Sequence, residues 1–137
     1  MKRLFLWRQK VGLIRILRNA DHSVLIFDAM LPRTIFDSKR VKKDIEDAIN
    51  RRVGISVITG LNHDESSASR LKALNINVYV RKIPNNWSFF TADGKMFCLV
   101  KESPKFRITI NMHAKRTSSF LQDVFSKACS FESTDRA

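Results

Sequence analysis

The sequence predicts an α/β domain with a mostly parallel central sheet and flanking helices. Three observations predict it. Apolar runs of strand length at residues 23–29, 53–59 and 77–80 alternate with helical periodicity, as parallel strands joined by right-handed crossovers do. A hairpin follows, in which Trp87, Phe89 and Phe90 lead through Asp93-Gly94 into the apolar run Met96 to Val100. The chain is 137 residues long, one domain with room for a single core.

Residues 1–20 read as a basic, apolar helix. Lys2, Arg3, Arg8, Lys10, Arg15 and Arg18 are interleaved with apolar residues, and no acid occurs among residues 2–18. At 3.6 residues per turn, Leu4, Trp7, Val11 and Ile14 share one face, Leu6, Leu13 and Leu17 another, and Phe5 and Ile16 a third. A helix apolar on several sides calls for burial by more than its own domain, so residues 2–18 are expected to form a subunit interface, ahead of a contact with a neighbouring domain or partner protein and of a membrane-surface helix. An α/β body at 21–130 and a frayed tail at 131–137 complete the expected organisation.

Within the body, Ser23 to Ala29 is a continuous apolar run of the kind found in central strands buried on both faces. Met30-Leu31-Pro32 ends it. A helix is expected over residues 38–52, capped by Asp37 or Ser38, with Val41, Ile45, Ala48 and Ile49 inward. Its Lys39, Arg40, Lys42, Lys43, Asp44, Glu46 and Asp47 should face water, and Arg51 and Arg52 suit its C-terminal dipole. A second strand at 53–59 and a polar loop with His63-Asp64 precede a helix from Glu65 to Leu74, then a third strand at 77–80. Beyond the hairpin, residues 106–110 alternate as a strand and 117–130 as a final helix that buries Phe120, Leu121, Val124 and Phe125.

Charge narrows the function. Twenty-five Lys and Arg against thirteen Asp and Glu leave a net charge of +12. That balance favours a polyanionic partner, nucleic acid before an anionic membrane surface. No apolar run reaches the roughly 20 residues of a membrane span, and basic residues interrupt the N-terminal apolar stretch, so a cytoplasmic protein is expected. Cys98 and Cys129 make neither a disulfide framework nor a metal-site spacing. His22, His63 and His113 are dispersed and only four glycines occur, so neither a metal site nor a phosphate-cradling loop is expected, and no cofactor is implied.

The phrases "SVLIFDAMLP", "DIEDAINRRVGISVITG" and "INVYV", followed by a strand ending in "DG", carry a resemblance to one half of the phospholipase D superfamily fold. In active members that strand bears His-x-Lys-x-x-x-x-Asp, with His as nucleophile, Lys as phosphate ligand and Asp as support. Counted back from Asp93, the His position holds Asn86 and the Lys position Ser88. Asn86 has no imidazole nitrogen to attack phosphorus, and Ser88 supplies no cation to a phosphoryl oxygen. The resemblance therefore implies a degenerate, binding-only member similar to the effector domains of TrmB-type archaeal regulators. Because such folds work as pairs across a two-fold, it also implies a homodimer.

The nucleic-acid contacts expected are Lys2, Arg3, Arg8, Lys10, Arg81, Lys82, Lys105, Arg107, Lys115 and Arg116. Arg81, Lys82 and Arg107 are expected on or near adjoining strands. Neither a recognition helix nor an RNA-binding signature occurs, so binding should address the backbone of DNA or RNA with little sequence preference. Two other readings stand beside this one. A ligand-sensing or assembly domain would use a pocket near Asp28, His63 and Asp93. A diverged phosphodiesterase would use His113 and Lys115, whose spacing to Asp123 departs from the family motif.

Overall fold

A computed structural model describes the backbone of residues 2–83, 87–101 and 107–111, and within it the side chains of 6–7, 9–83 and 88–98. The elements are α1 (Lys2–Asn19), β1 (Ser23–Asp28), α2 (Arg33–Phe36), α3 (Lys39–Asn50), β2 (Gly54–Thr59), α4 (Glu65–Ala73), β3 (Asn77–Val80), β4 (Trp87–Ala92), β5 (Met96–Lys101) and β6 (Arg107–Asn111). The expected helix at 117–130 and the tail at 131–137 lie outside the described residues.

The six strands form one sheet in the order β3-β2-β1-β4-β5-β6. β1 pairs with β2 and β2 with β3 in parallel, whereas β4, β5 and β6 add antiparallel to their neighbours. β1, β2, β3 and β5 therefore point one way, and β4 and β6 the other. The crossovers through α3 and α4 account for the parallel half. The tight turn between β4 and β5 accounts for that antiparallel pair, since two strands so joined can only run antiparallel. That turn sits at Asp93 and Gly94, whose φ values of 58° and 67° are the positive pair a type I′ turn requires.

One core joins the helices to one face of the sheet. Leu13, Ile16 and Leu17 of α1, Val41, Ile45 and Ala48 of α3, and Ala68 and Leu71 of α4 meet Val24 and Ile26 of β1, Val57 of β2, Phe90 of β4 and Cys98 of β5. The opposite face holds Phe27 and Phe89, cross-strand partners whose rings stack with centroids 4.6 Å apart. β1 is thus fully buried on one face only: Val24 and Ile26 are closed off, while Leu25 and Phe27 are half-buried.

That corrects the expectation of a first strand buried on both faces, and two further expectations change. α1 is not apolar all round in its surroundings, because Leu13, Ile16 and Leu17 are fully buried by the chain itself. The end of α1 at Trp7 is the part left outward, Trp7 being 60% exposed and Val11 half-buried, while Ile14 packs against the core. Asp44, expected in water, is 6% exposed and faces Arg18 of α1. The α3 capping stands: Ser38 is the N-cap, and its hydroxyl accepts from Val41 N at 3.2 Å.

α1 lies against β5 at Gly12, where a Cβ would collide with Sγ of the buried Cys98. Ala gains about 1 kcal/mol over Gly in a helix interior. The collision outweighs it, so Gly12→Ala should lose a net ~1–2 kcal/mol in urea unfolding. In a Cys98→Ala background only an ordinary 3.5 Å contact with Cβ remains, and the same substitution should stabilise. Destabilisation of equal size in both backgrounds would refute this account.

Candidate functional site

At the carboxyl end of β1, Asp28 stands directly opposite Ser88 of β4. Gln9 of α1 reaches between them: its Nε2 donates to Asp28 Oδ2 at 2.6 Å and to Ser88 Oγ at 3.0 Å. The Ser88 hydroxyl in turn donates to Asp28, and Asp28 Oδ1 accepts from Met30 N and Leu31 N at 3.2 and 3.3 Å. Gln9, Asp28 and Ser88 are 1%, 2% and 4% exposed. Burial pushes the Asp28 carboxyl up from 3.8 to about 6, against the pull of these hydrogen bonds. Ser88, at the position where the family motif has its cation, is therefore enclosed and fully engaged. Asn86 lies outside the described residues.

Asp93, the surviving motif residue, is elsewhere. It follows Ala92, the partner of Val24, so it lies at the start of β1, some 16 Å from Asp28 at about 3.3 Å per residue. Its carboxylate accepts from Asp21 N at 2.8 Å, His22 N at 2.7 Å and Ser23 N at 2.8 Å. Partial burial would raise its pKa, but these three N–H groups outweigh it and hold the carboxyl below its usual range. Asp93 locks the hairpin to the chain entering β1.

Asp28 and Asp93 stand at opposite ends of β1, so the three residues expected around one pocket, Asp28, His63 and Asp93, are not brought together. His63 is engaged as well, its Nδ1 2.7 Å from Gly60 O and its Nε2 3.5 Å from Glu65. Asp64 caps α4 by accepting from Ser67 N and Ser67 Oγ, both at 2.9 Å, and pairs with Arg33 at 3.1 Å. These bonds hold its pKa below the usual carboxylate range. Among the described residues, no three His, Cys, Asp or Glu side chains come together as a metal ion would require.

The basic residues named from the sequence do not converge. β3 and β6 are the two edges of the sheet, so Arg81 and Lys82 beyond one and Arg107 on the other stand roughly 24 Å apart across five strand spacings. The expectation of adjoining strands fails because β4 and β5 insert after β3 on the far side of β1. Arg81 is only 7% exposed, donates to Val80 O at 2.8 Å and lies over the Tyr79 ring. Lys82 is exposed and Lys10 half-buried. Lys2, Arg3 and Arg8 fall on α1 with side chains outside the described set, and Lys105, His113, Lys115 and Arg116 lie outside the described residues.

A basic cluster does form, at a place the sequence does not mark. Between α1 and α3 a cleft of about 420 Å³ is lined by Arg18, Arg40, Lys43, Asp44, Asp47 and Arg51. Arg51 is held there because its Nη2 donates to Leu17 O in the last turn of α1 at 2.8 Å and to Ala20 O just beyond it at 3.1 Å. Arg18 Nε lies 3.4 Å from both oxygens of Asp44, with its own side chain half exposed. Arg40, Asp44, Asp47 and Arg51 recur at i, i+4, i+7 and i+11, the spacing that puts them on one side of α3. That spacing was legible. What hid the site was the partner, since nothing in the sequence shows that Arg18 of α1 comes to the same cleft.

The fold is shared with Nuc from Salmonella typhimurium, described as a phospholipase D family member. The TM-score is 0.64 at 9% identity, over 93% of this chain and 88% of that one. NucT from Helicobacter pylori aligns at a TM-score of 0.63 and 17% identity, over 95% and 91% of the two chains. This chain has a phospholipase D-like fold. A further structure with the phospholipase D-like fold is TrmBL2, an archaeal chromatin protein with a novel mode of DNA binding, at a TM-score of 0.62 and 12% identity. That match covers 86% of this chain but 46% of TrmBL2. No protein-family model matches the sequence, and no curated protein matches it either. Among the described residues no helix is long and apolar enough to cross a membrane.

Proposed function

We propose that the protein binds nucleic acid without cleaving it, holding the phosphodiester backbone in the α1–α3 cleft. The observation that carries this reading is the gathering of Arg18, Arg40, Lys43 and Arg51 around one cleft. Four cations against the two carboxylates of Asp44 and Asp47 leave the cleft net positive on a chain of net charge +12, and with Arg18 beside Asp44 and Arg51 on the carbonyls of residues 17 and 20, Arg40 and Lys43 are the foremost contacts for a polyanion. The DNA-binding description of TrmBL2, which has the same fold, supports the choice of polyanion. The motif supports the lack of chemistry: Asn86 and Ser88 stand in place of nucleophile and cation, and Ser88 is closed in by Gln9 and Asp28. The protein so read acts in the cytoplasm. Dimerisation, if it uses α1, is left the Trp7 face, since the Leu13 side is buried.

A ligand-sensing domain is the second reading, favoured by the cleft's volume of about 420 Å³, which is that of a small-molecule site. Fluorescence anisotropy of a labelled DNA duplex across a salt series separates the two. Two to four phosphate contacts predict a log–log slope of about −2 to −4. Arg40→Glu/Lys43→Glu should weaken binding at least tenfold and flatten the slope by about 2. Lys72→Glu/Lys95→Glu carries the same charge change outside the cleft and should do far less. Equal losses from the two pairs, or no salt slope in the wild type, would exclude the cleft as a nucleic-acid interface.

A further inference from the structure

Arg18 comes to the cleft already engaged. Its Nε lies 3.4 Å from both carboxylate oxygens of Asp44, with the two side chains 50% and 7% exposed. That separation is long beside the roughly 2.7–2.9 Å of a strong charge-assisted bond, and Arg18 is open to water, so a phosphate can compete for its guanidinium. What resists is the other partner. Asp44 is closed in, and without Arg18 it would be left as a buried carboxylate lacking its cation. Arg51 is likewise held, by Leu17 O and Ala20 O. Arg40 and Lys43, both exposed on α3, therefore meet an arriving phosphate first, and Arg18 must leave one anion for another.

We propose, resting on the nucleic-acid reading above, that Asp44 is an internal stand-in for phosphate, an autoinhibitory contact that occupies Arg18 until the bound backbone displaces it. The contact lowers the affinity of the cleft and makes one phosphate contact conditional on breaking an ion pair within the protein. Asp47 carries the same charge in the same cleft, but Asp44 is the one that Arg18 meets. Loss of either carboxylate removes repulsion and tightens binding. Only loss of Asp44 also releases a cation, and each further cation on the backbone steepens the salt dependence by about 0.9. Asn suits the test, because its carbonyl can still accept from Arg18 Nε while carrying no charge to hold it.

Anisotropy of a labelled DNA duplex across a salt series reads both effects. Asp44→Asn should bind about tenfold tighter than wild type, with a log–log slope steeper by about 1. Asp47→Asn should tighten binding about threefold at the wild-type slope. Arg18→Gln should weaken wild type only about twofold, yet reverse most of the gain in an Asp44→Asn background. Equal slopes for Asp44→Asn and wild type, or a gain that survives Arg18→Gln, overturn this proposal and leave the cleft reading standing. Weaker binding by a folded Asp44→Asn also overturns it, since Asp44 would then aim Arg18 at phosphate. Should Asp44→Asn not fold, Arg18→Gln decides alone: a loss as large as that from Arg40→Gln overturns the proposal, and a smaller one supports it. If wild type and every variant leave the duplex unbound, the nucleic-acid reading falls and this one with it.

Discussion

Replacing Asp28 with Asn is expected to widen the stability gap over wild type by roughly 2 kcal/mol between pH 4 and pH 8. The cause is the enclosed triangle of Gln9, Asp28 and Ser88, in which the carboxyl titrates at about 6 rather than 3.8. A raised carboxyl pKa means that the folded state binds the proton more tightly than the unfolded chain. Its contribution is therefore fully present below the unfolded value and is lost as pH rises through about 6. Each pH unit between the unfolded and folded values is worth about 1.4 kcal/mol. Asn carries no such proton. Its carbonyl can still accept from Met30 N and Leu31 N, and a turned Gln9 amide can accept from its N–H₂ group. Urea unfolding of both proteins at pH 4, 5, 6, 7 and 8 measures the gap. A gap constant across that range would mean that Asp28 stays ionised throughout and that the triangle is more open to water than its burial shows.

The same triangle marks where the sequence stopped being readable. Strands and crossovers were legible because each writes its period locally: Ser23 to Asp28 as an apolar run, Lys39 to Asn50 as an amphipathic stripe, Asp93-Gly94 as a turn. The resemblance to the family motif set Asn86 and Ser88 at its nucleophile and cation positions, which needs no coordinates, but not the burial of Ser88. Gln9 was not. It is one polar residue in the α1 face that carries Leu13 and Ile16, and only the packing of α1 over β1 and β4 turns it into the partner of Asp28 and Ser88. The basic cleft failed to show for a like reason. Arg51 was explained locally by the dipole of its own helix, yet its guanidinium serves the carbonyl end of α1. Asp44 looked like one more solvated charge on α3 until α1 covered it. Arg81, exposed by every local criterion, is drawn under by Val80 O and the Tyr79 ring. Local period fixes elements, whereas a site assembled from two helices depends on which faces the sheet brings together.

Asp93→Ala should destabilise the fold by ~3 kcal/mol, the larger part from three backbone donors that lose their acceptor. Each bond to an ionised acceptor is worth about 1.5–3 kcal/mol when shielded. Asp21 N and His22 N are exposed and recover water on losing their acceptor, so they add little, while Ser23 N is partly buried and accounts for about 2 kcal/mol. Alanine adds about 1 kcal/mol of backbone strain, because position 93 holds φ at 58°, which Asn and Asp tolerate best. Asp93→Asn should therefore cost much less: its carbonyl still accepts from His22 N and Ser23 N, and only the contact to Asp21 N turns repulsive. The pH signature is opposite to that of Asp28. With its pKa depressed in the fold, Asp93 contributes stability that is present above the unfolded value near 3.8 and lost as pH falls through the folded one. Thermal unfolding at pH 7 and pH 3 should show wild type and Asp93→Ala converging in acid. If Ala and Asn cost the same at pH 7, the backbone bonds carry nothing. The one motif residue to survive would then need a role in binding, and the place to look would be the hairpin end of the sheet.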